Sequence, residues 1–249
     1  MAGHDLSSDG NGNGTLKFTQ DWFSHNIPTW TKLLSSLRGK RSVHALEIGV
    51  FEGRSTCWLL ENVLTGDGAT VDCIDTFAGA MEHDKLDLSS LQACFESNVA
   101  AWRDRVNVHV GMSAAILPTL SGPYDLLYID GSHTARDVLV DIVLAWRLAA
   151  DDAILIFDDY AWPMYPDQPW FQPKLAVDSF LACFAGWHEV LHVGYQVAIR
   201  KSAQFSSPAN AAKKTLATSA SGREVCAFSS FGGQEITYKI EIPQKREFR

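Results

Sequence analysis

Three apolar runs in this 249-residue chain end in groups that can do chemistry. "LLYIDGSH" (126–133) closes on Asp130 and adds an imidazole, His133, three residues later. "AILIFDD" (153–159) closes on Asp158 and Asp159, and "ALEIGVFEGRST" (45–56) carries Glu47, Gly49, Glu52, Gly53 and Ser55. Carboxylates set close together repel unless a cation or shared protons intervene. Oxygen ligands without thiolates suit Mg²⁺, with Mn²⁺ as a substitute. An imidazole beside them can take a proton near neutral pH. The plainer alternatives are that strand-end aspartates cap helices or face water, and that His133 bonds to Asp137 or to backbone at a helix start.

The glycine turn asks for a different partner. Gly49 and Gly53 let a backbone approach a ligand. Their spacing is G-x-x-x-G, with Phe51 where a dinucleotide fingerprint needs its second glycine, and no Gly-Lys-Ser/Thr follows. Glu47 and Glu52 suit a cationic ligand better than a pyrophosphate. Asp75 lies 28 residues after Glu47, at the end of "TVDCID" (70–75), where a carboxylate can accept both ribose hydroxyls of a nucleoside. "HVGMSAA" (109–115) puts Ser113 where it could face an adenine. The plainer alternative is that Asp75 caps the next helix.

Positioning these groups needs strands that end side by side. Strands are expected at 43–50, 70–75, 106–111, 124–130 and 152–159, with helices at 54–64, 88–102, 135–149 and 173–184 and a helical turn at 113–120. Residues 188–201 read as two strands around Gly194. The alternation predicts an α/β, doubly wound, Rossmann-like, mostly parallel seven-stranded sheet, with helices on both faces and an antiparallel C-terminal edge. Ligands in such sheets bind outside the carboxyl ends of the strands. Residues 17–37 read as a helical cap, 1–16 as disordered and 202–222 as a low-complexity linker. Residues 235–243 alternate as one more strand.

Composition narrows the partners. The chain is 46% hydrophobic with net charge −8. The tail from Ser202 holds seven Lys/Arg and four Glu, so it is +3 and the remainder −11. An acidic body argues against nucleic acid as the main partner. The five cysteines form no CxxC pair and read as reduced thiols in a cytoplasmic protein. The N-terminus is polar and glycine-rich, unlike a signal peptide. No apolar run approaches 18 residues, so no membrane span is expected.

The ordered set "ALEIGVFEGRST … VDCIDTF … VHVGMSAAILPTL … YDLLYIDGSH … ILIFDDY" resembles the class I S-adenosylmethionine-dependent methyltransferases, and within them the small-molecule O-methyltransferases of the "methyltransferase domain 24" type. The resemblance covers about residues 17–201. It implies that Glu47, Gly49, Glu52, Gly53 and Ser55 line the methionine end, that Asp75 with Thr76 holds the ribose, that Ser113 lies by the adenine, and that Asp130 borders the cofactor. "D-G-S-H … D-D" is also similar to metal-dependent sugar, macrolide and catechol-type O-methyltransferases. That likeness implies Mg²⁺ on Asp130, Asp158 and Asp159, with His133 as base. Catechol-type enzymes commonly have Asn as last ligand and a lysine base; Asp159 and the missing lysine lean toward the sugar-like pattern.

The implied activity is methylation of a small hydroxylated metabolite. Tyr160, Trp162, Tyr165, Trp170 and Phe171 follow the acidic pair and suit a flat or sugar-like acceptor. Trp22, His25 and Trp30 could close the site from the N-terminal side. Alternatives are a metal-independent N- or O-methyltransferase, a cofactor-binding protein that only interacts with partners, and a nicotinamide enzyme, which the missing glycine disfavours. A nucleic-acid methylase would carry a D/N-P-P-Y/F block where "DGSH" stands. The acceptor's identity, any homo-oligomer and the tail's role stay open.

Overall fold

The computed structural model describes residues 16–80 and 86–204, and the backbone of residues 227–231 and 234–237. Residues 1–15 of the expected disordered start (1–16), almost all of the linker at 202–222, and residues 238–243 of the expected last strand fall outside these. Seven strands form one sheet: β1 (His44–Ile48), β2 (Thr70–Asp75), β3 (Val106–Val110), β4 (Tyr124–Ile129), β5 (Ala149–Phe157), β6 (His188–Val193) and β7 (Val197–Lys201). Their order is β3-β2-β1-β4-β5-β7-β6. The first five run parallel, and β7 lies antiparallel between β5 and β6, giving the antiparallel C-terminal edge that the sequence predicts. The helices are α1 (Ile27–Leu33), α2 (Arg54–Asn62), α3 (Leu91–Asn98), α4 (Ser113–Ile116), α5 (Ala135–Leu148) and α6 (Pro173–Cys183). A separate hairpin pairs β8 (Ala227–Phe231) with β9 (Gln234–Thr237).

The period-2 alternation of the strands sorts side chains onto two faces. Ala45, Val71, Tyr128 and Ile156 pack with Trp30, Leu59 and Phe95 of α1, α2 and α3. Leu46, Ile74, Leu127 and Leu155 pack with Ile142 of α5 and Phe180 of α6. Both faces are therefore covered, which explains why the central strands read as continuous apolar runs. Among the described residues no helix is long and apolar enough to cross a membrane.

Some boundaries differ from expectation. The N-terminal cap is helical only from a 3-10 turn at Ser24–Asn26 through α1; residues 16–23 form no helix and are tied down by side chains instead. Asn98 accepts the Lys17 N–H at 2.8 Å and donates to the Lys17 carbonyl at 2.8 Å. The expected helix 88–102 is split into α3 and a 3-10 turn at Ala100–Trp102. β5 begins at Ala149 rather than 152, directly after α5, because Ala149 pairs with Tyr124 before a bulge resets the ladder at Leu126 and Ile154.

The register aligns the sheet's carboxyl edge. Ile48 pairs with both Ile74 and Ile129, Ile129 with Phe157, and Phe157 with Val197. One residue further along each strand stand Asp75, Gly49, Asp130, Asp158 and, on the antiparallel strand, Gln196. Backbone bonds continue into this row: the N–H groups of Gly49, Asp130 and Asp158 donate to Ile74, Ile48 and Ile129 at 2.8, 2.8 and 3.0 Å.

Candidate functional site

A cavity of about 910 Å³ opens over that row. Its lining includes Gly49, Glu52, Ser55, Asp75, Thr76, Ser113, Asp130, His133, Asp158 and Asp159. Of the residues expected to hold cofactor, metal or proton, Glu47 and Gly53 alone stand behind the wall.

The glycine turn is built by contacts a side chain would break. Gly49 has φ +83°, and a Cβ there would lie 1.9 Å from the Asp130 carbonyl oxygen. Gly53 has φ +81° and caps α2, and a Cβ there would meet the Phe95 ring at 2.8 Å. Gly53 therefore serves helix packing, not an occupant. Asp75 pulls the turn together: its carboxylate accepts the N–H groups of Val50, Phe51 and Phe77 at 2.8, 2.9 and 2.7 Å. A carboxylate has about four lone-pair sites, so Asp75 both shapes the turn and keeps capacity toward the cavity. It does not cap a helix.

Glu47 is completely buried on β1. Its oxygens accept the Ser55 hydroxyl, in a short bond, and the Thr56 hydroxyl at 2.7 Å. Burial pushes its carboxyl up to about 7. Glu47 thus acts on the cavity through Ser55 and the first turn of α2. Glu52 is directed to the N-terminal segment, accepting the Thr19 N–H at 2.6 Å and the Thr19 hydroxyl at 2.7 Å. That clamp brings Trp22, Phe23 and His25 to the cavity. At the opposite end Ser113 donates to Asp141 at 2.6 Å. Asp141, on α5, is buried and lifted to about 6 by that burial.

The three strand-end carboxylates are joined by residues the sequence reading passed over. The Tyr128 hydroxyl lies between Asp130, at 2.8 Å, and Asp158, in a shorter bond. It has one hydrogen for two carboxylates, so it can donate to only one of them at a time. Burial, and next the charges of Asp158 and Asp159, push the Asp130 carboxyl well above the usual range. Burial and then Asp159 lift Asp158 to about 6. Asp158 also accepts the Gln196 amide at 2.7 Å and the Asp159 N–H at 2.7 Å. Gln196 in turn accepts the Trp30 indole N–H at 2.7 Å. Trp30 is thus a buried strut, not a wall of the cavity.

Asp159 points elsewhere. One oxygen makes a short bond with His133 Nε2 and the other accepts the Tyr195 hydroxyl at 2.6 Å. The His133 ring stacks on Trp162 with centroids 4.3 Å apart and planes 20° from parallel. His25 meets Tyr195 edge-on at 5.3 Å. Of the aromatic loop after β5, Trp162 lines the cavity, together with Met164, whereas Trp170 lies outside it, 57% exposed. His133 pairs with Asp159, not with Asp137, whose partners are Thr134 and Arg136.

The fit of a metal ion follows from this geometry. The donor types suit Mg²⁺ or Mn²⁺. The arrangement is not a preformed ligand set: Asp158 accepts from Tyr128, Gln196 and the Asp159 N–H, and among the described residues no three His, Cys, Asp or Glu side chains converge as a ligand group. The expected ion on Asp130, Asp158 and Asp159 therefore finds no ready-made coordination shell in this arrangement.

Tyr128 was legible in principle, because it lies two residues before Asp130 on one strand and so shares its face. Gln196 and Tyr195 were not singled out; a lone amide entering an apolar strand was their only signal.

Comparison with known proteins agrees with the fold. Residues 46–160 match the model of a family described as a methyltransferase domain. An O-methyltransferase of Aspergillus hancockii, hkm8, is 27% identical over 129 residues, covering 51% of this chain and 46% of that protein. The chain thus matches about half the length of that curated relative. The O-methyltransferase of Bacillus cereus, solved with S-adenosylhomocysteine, superposes with a TM-score of 0.53 at 21% identity, over 72% of this chain and 82% of that one. The MycE methyltransferase of mycinamycin biosynthesis, solved with Mg, S-adenosylhomocysteine and mycinamycin VI, gives 0.52 at 17% identity, over 76% and 52%. These structures share the fold.

Proposed function

We propose that this chain transfers a methyl group from S-adenosylmethionine to a hydroxyl oxygen of a small metabolite. The observation that carries the reading is the His133–Asp159 pair, which faces the same cavity as the Gly49 turn and Asp75. Bound S-adenosylmethionine supplies an electrophilic methyl on its sulfonium. The chain's own groups do the rest. Asp75, Thr76 and Ser113 line the end suited to a nucleoside, and Ser55, held by Glu47, lines the methionine end. Arg54 is the one guanidinium among the described lining residues and suits the cofactor's carboxylate.

An alcohol is a poor nucleophile until it gives up its proton. His133 takes that proton in this reading. Asp159 stabilises the imidazolium that forms, and stacking on Trp162 fixes the plane of the ring. Positioning of the acceptor against the methyl group supplies much of the rate, roughly 7–11 kcal/mol for well-oriented reactants.

Labelled methyl transfer into fractions of a metabolite extract tests the proposal. Calorimetry should show S-adenosylhomocysteine binding and no NAD binding. The reverse preference would refute the reading. His133→Ala should lower transfer about 100-fold or more while sparing most cofactor affinity.

A further inference from the structure

We infer that the acceptor taken by this cavity is a flat hydroxylated molecule bearing no anionic group, and that a protonated amine on it strengthens binding. The inference rests on the methyl-transfer reading above and concerns the other half of the same cavity.

The cavity's charge is one-sided. Among the described residues its lining includes eight carboxylates and one guanidinium, with His25 and His133 as the imidazoles and no lysine. The guanidinium is partly spent: Arg54 donates to the Gln20 carbonyl at 3.1 Å and lies 3.6 Å from Asp21. The acceptor end, around His133, carries Asp130, Asp158 and Asp159. An anion entering there loses its hydration and, among the described residues, meets no lysine or guanidinium. A carboxylate, phosphate or nucleotide-linked acceptor is therefore rejected by like charge, a form of selection against wrong ligands.

The walls are independent of the charge. Trp162 lies flat on His133, and Trp22 packs on Phe51 with centroids 5.0 Å apart. Tyr195 and Met164 complete this side of the lining. Aromatic faces take flat rings, and they attract cations as well. Rings and carboxylates thus favour the same occupant, while a sugar phosphate or an acyl thioester of coenzyme A satisfies neither.

Three phenols of similar length separate charge from shape: 4-ethylphenol, tyramine and 4-hydroxyphenylacetate. Having one hydroxyl each, they do not chelate metals. Their binding is read by ligand-observed NMR on the full chain, alone and saturated with S-adenosylhomocysteine. Tyramine is expected to bind tightest, at least about tenfold more tightly than 4-hydroxyphenylacetate, as one charge near carboxylates implies. Equal or tighter binding of the carboxylate overturns the inference, as does failure of all three to bind. Failure of S-adenosylhomocysteine to bind refutes the methyl-transfer reading instead, and the order of the phenols on the protein alone still decides this one. Met164→Lys places a cation at a lining position already 44% exposed. It should narrow the gap between tyramine and 4-hydroxyphenylacetate to within about threefold. An unchanged gap in a folded variant shows that lining charge is not the cause and overturns the inference.

Discussion

Tyr195 donates its hydroxyl to one oxygen of Asp159 at 2.6 Å, and the other oxygen of Asp159 meets His133. The carboxylate is therefore held at both ends. Its neighbour in sequence, Gln196, donates to Asp158, so one hairpin turn addresses two consecutive aspartates with two consecutive side chains.

Tyr195→Phe removes the hydroxyl and keeps the ring against His25. A hydrogen bond to a charged group contributes about 1.5–3 kcal/mol, so methyl transfer should fall roughly tenfold or more. S-Adenosylhomocysteine affinity, read by calorimetry, should stay within about twofold. A rate unchanged by the substitution would remove Tyr195 from the arrangement of the base.

Glu47 gives a pH dependence with a defined sign. Burial pushes its carboxyl up to about 7 in the folded chain, against an ordinary 4.5. Its contribution to stability is fully present below pH 4.5 and is lost as pH rises toward 7, because ionisation then favours the unfolded chain. The ceiling is roughly 3 kcal/mol. Glu47→Gln can still bond to both Ser55 and Thr56 but cannot ionise. The melting temperature of the unaltered chain, relative to Glu47→Gln, should fall across that window. A difference that is flat with pH would contradict the burial argument.

Gly49→Ala tests the turn itself. The new methyl would press on the Asp130 carbonyl in a left-handed backbone conformation, and neither partner can move without breaking the sheet edge. Strain and overpacking together should cost about 2–5 kcal/mol, measurable by urea unfolding. Any folded fraction should bind S-adenosylhomocysteine poorly.

Tyr128 and Gln196 both donate to the same oxygen of Asp158. Replacing them together, Tyr128→Phe with Gln196→Leu, frees the carboxylate and removes the hydroxyl from between Asp130 and Asp158. Affinity for Mg²⁺, titrated calorimetrically, should rise by about tenfold over the unaltered chain, on the scale of one or two hydrogen bonds released. Equal affinities would show that these partners do not govern access to Asp158.

The sequence alone determined the order of the elements and which residues reach the carboxyl edge of the sheet. Apolar runs and their polar ends follow from local periodicity, and a parallel sheet makes strand ends meet, so Asp75, Asp130 and Asp158 could be placed in one region before any coordinates. The β5 start and the N-terminal cap were less legible, because a bulge at Tyr124 and the clamps from Glu52 and Asn98 are contacts between distant parts of the chain. Only the tertiary structure decided how the carboxylates are satisfied. Whether Asp158 faces an ion, a proton or an amide depends on Tyr128 in the neighbouring strand and on Gln196, 38 residues away in sequence. Which oxygen of Asp159 meets His133 depends on Tyr195. Side-chain hydrogen bonds of this kind are set by register and rotamer across strands, and a linear pattern of residue types carries neither.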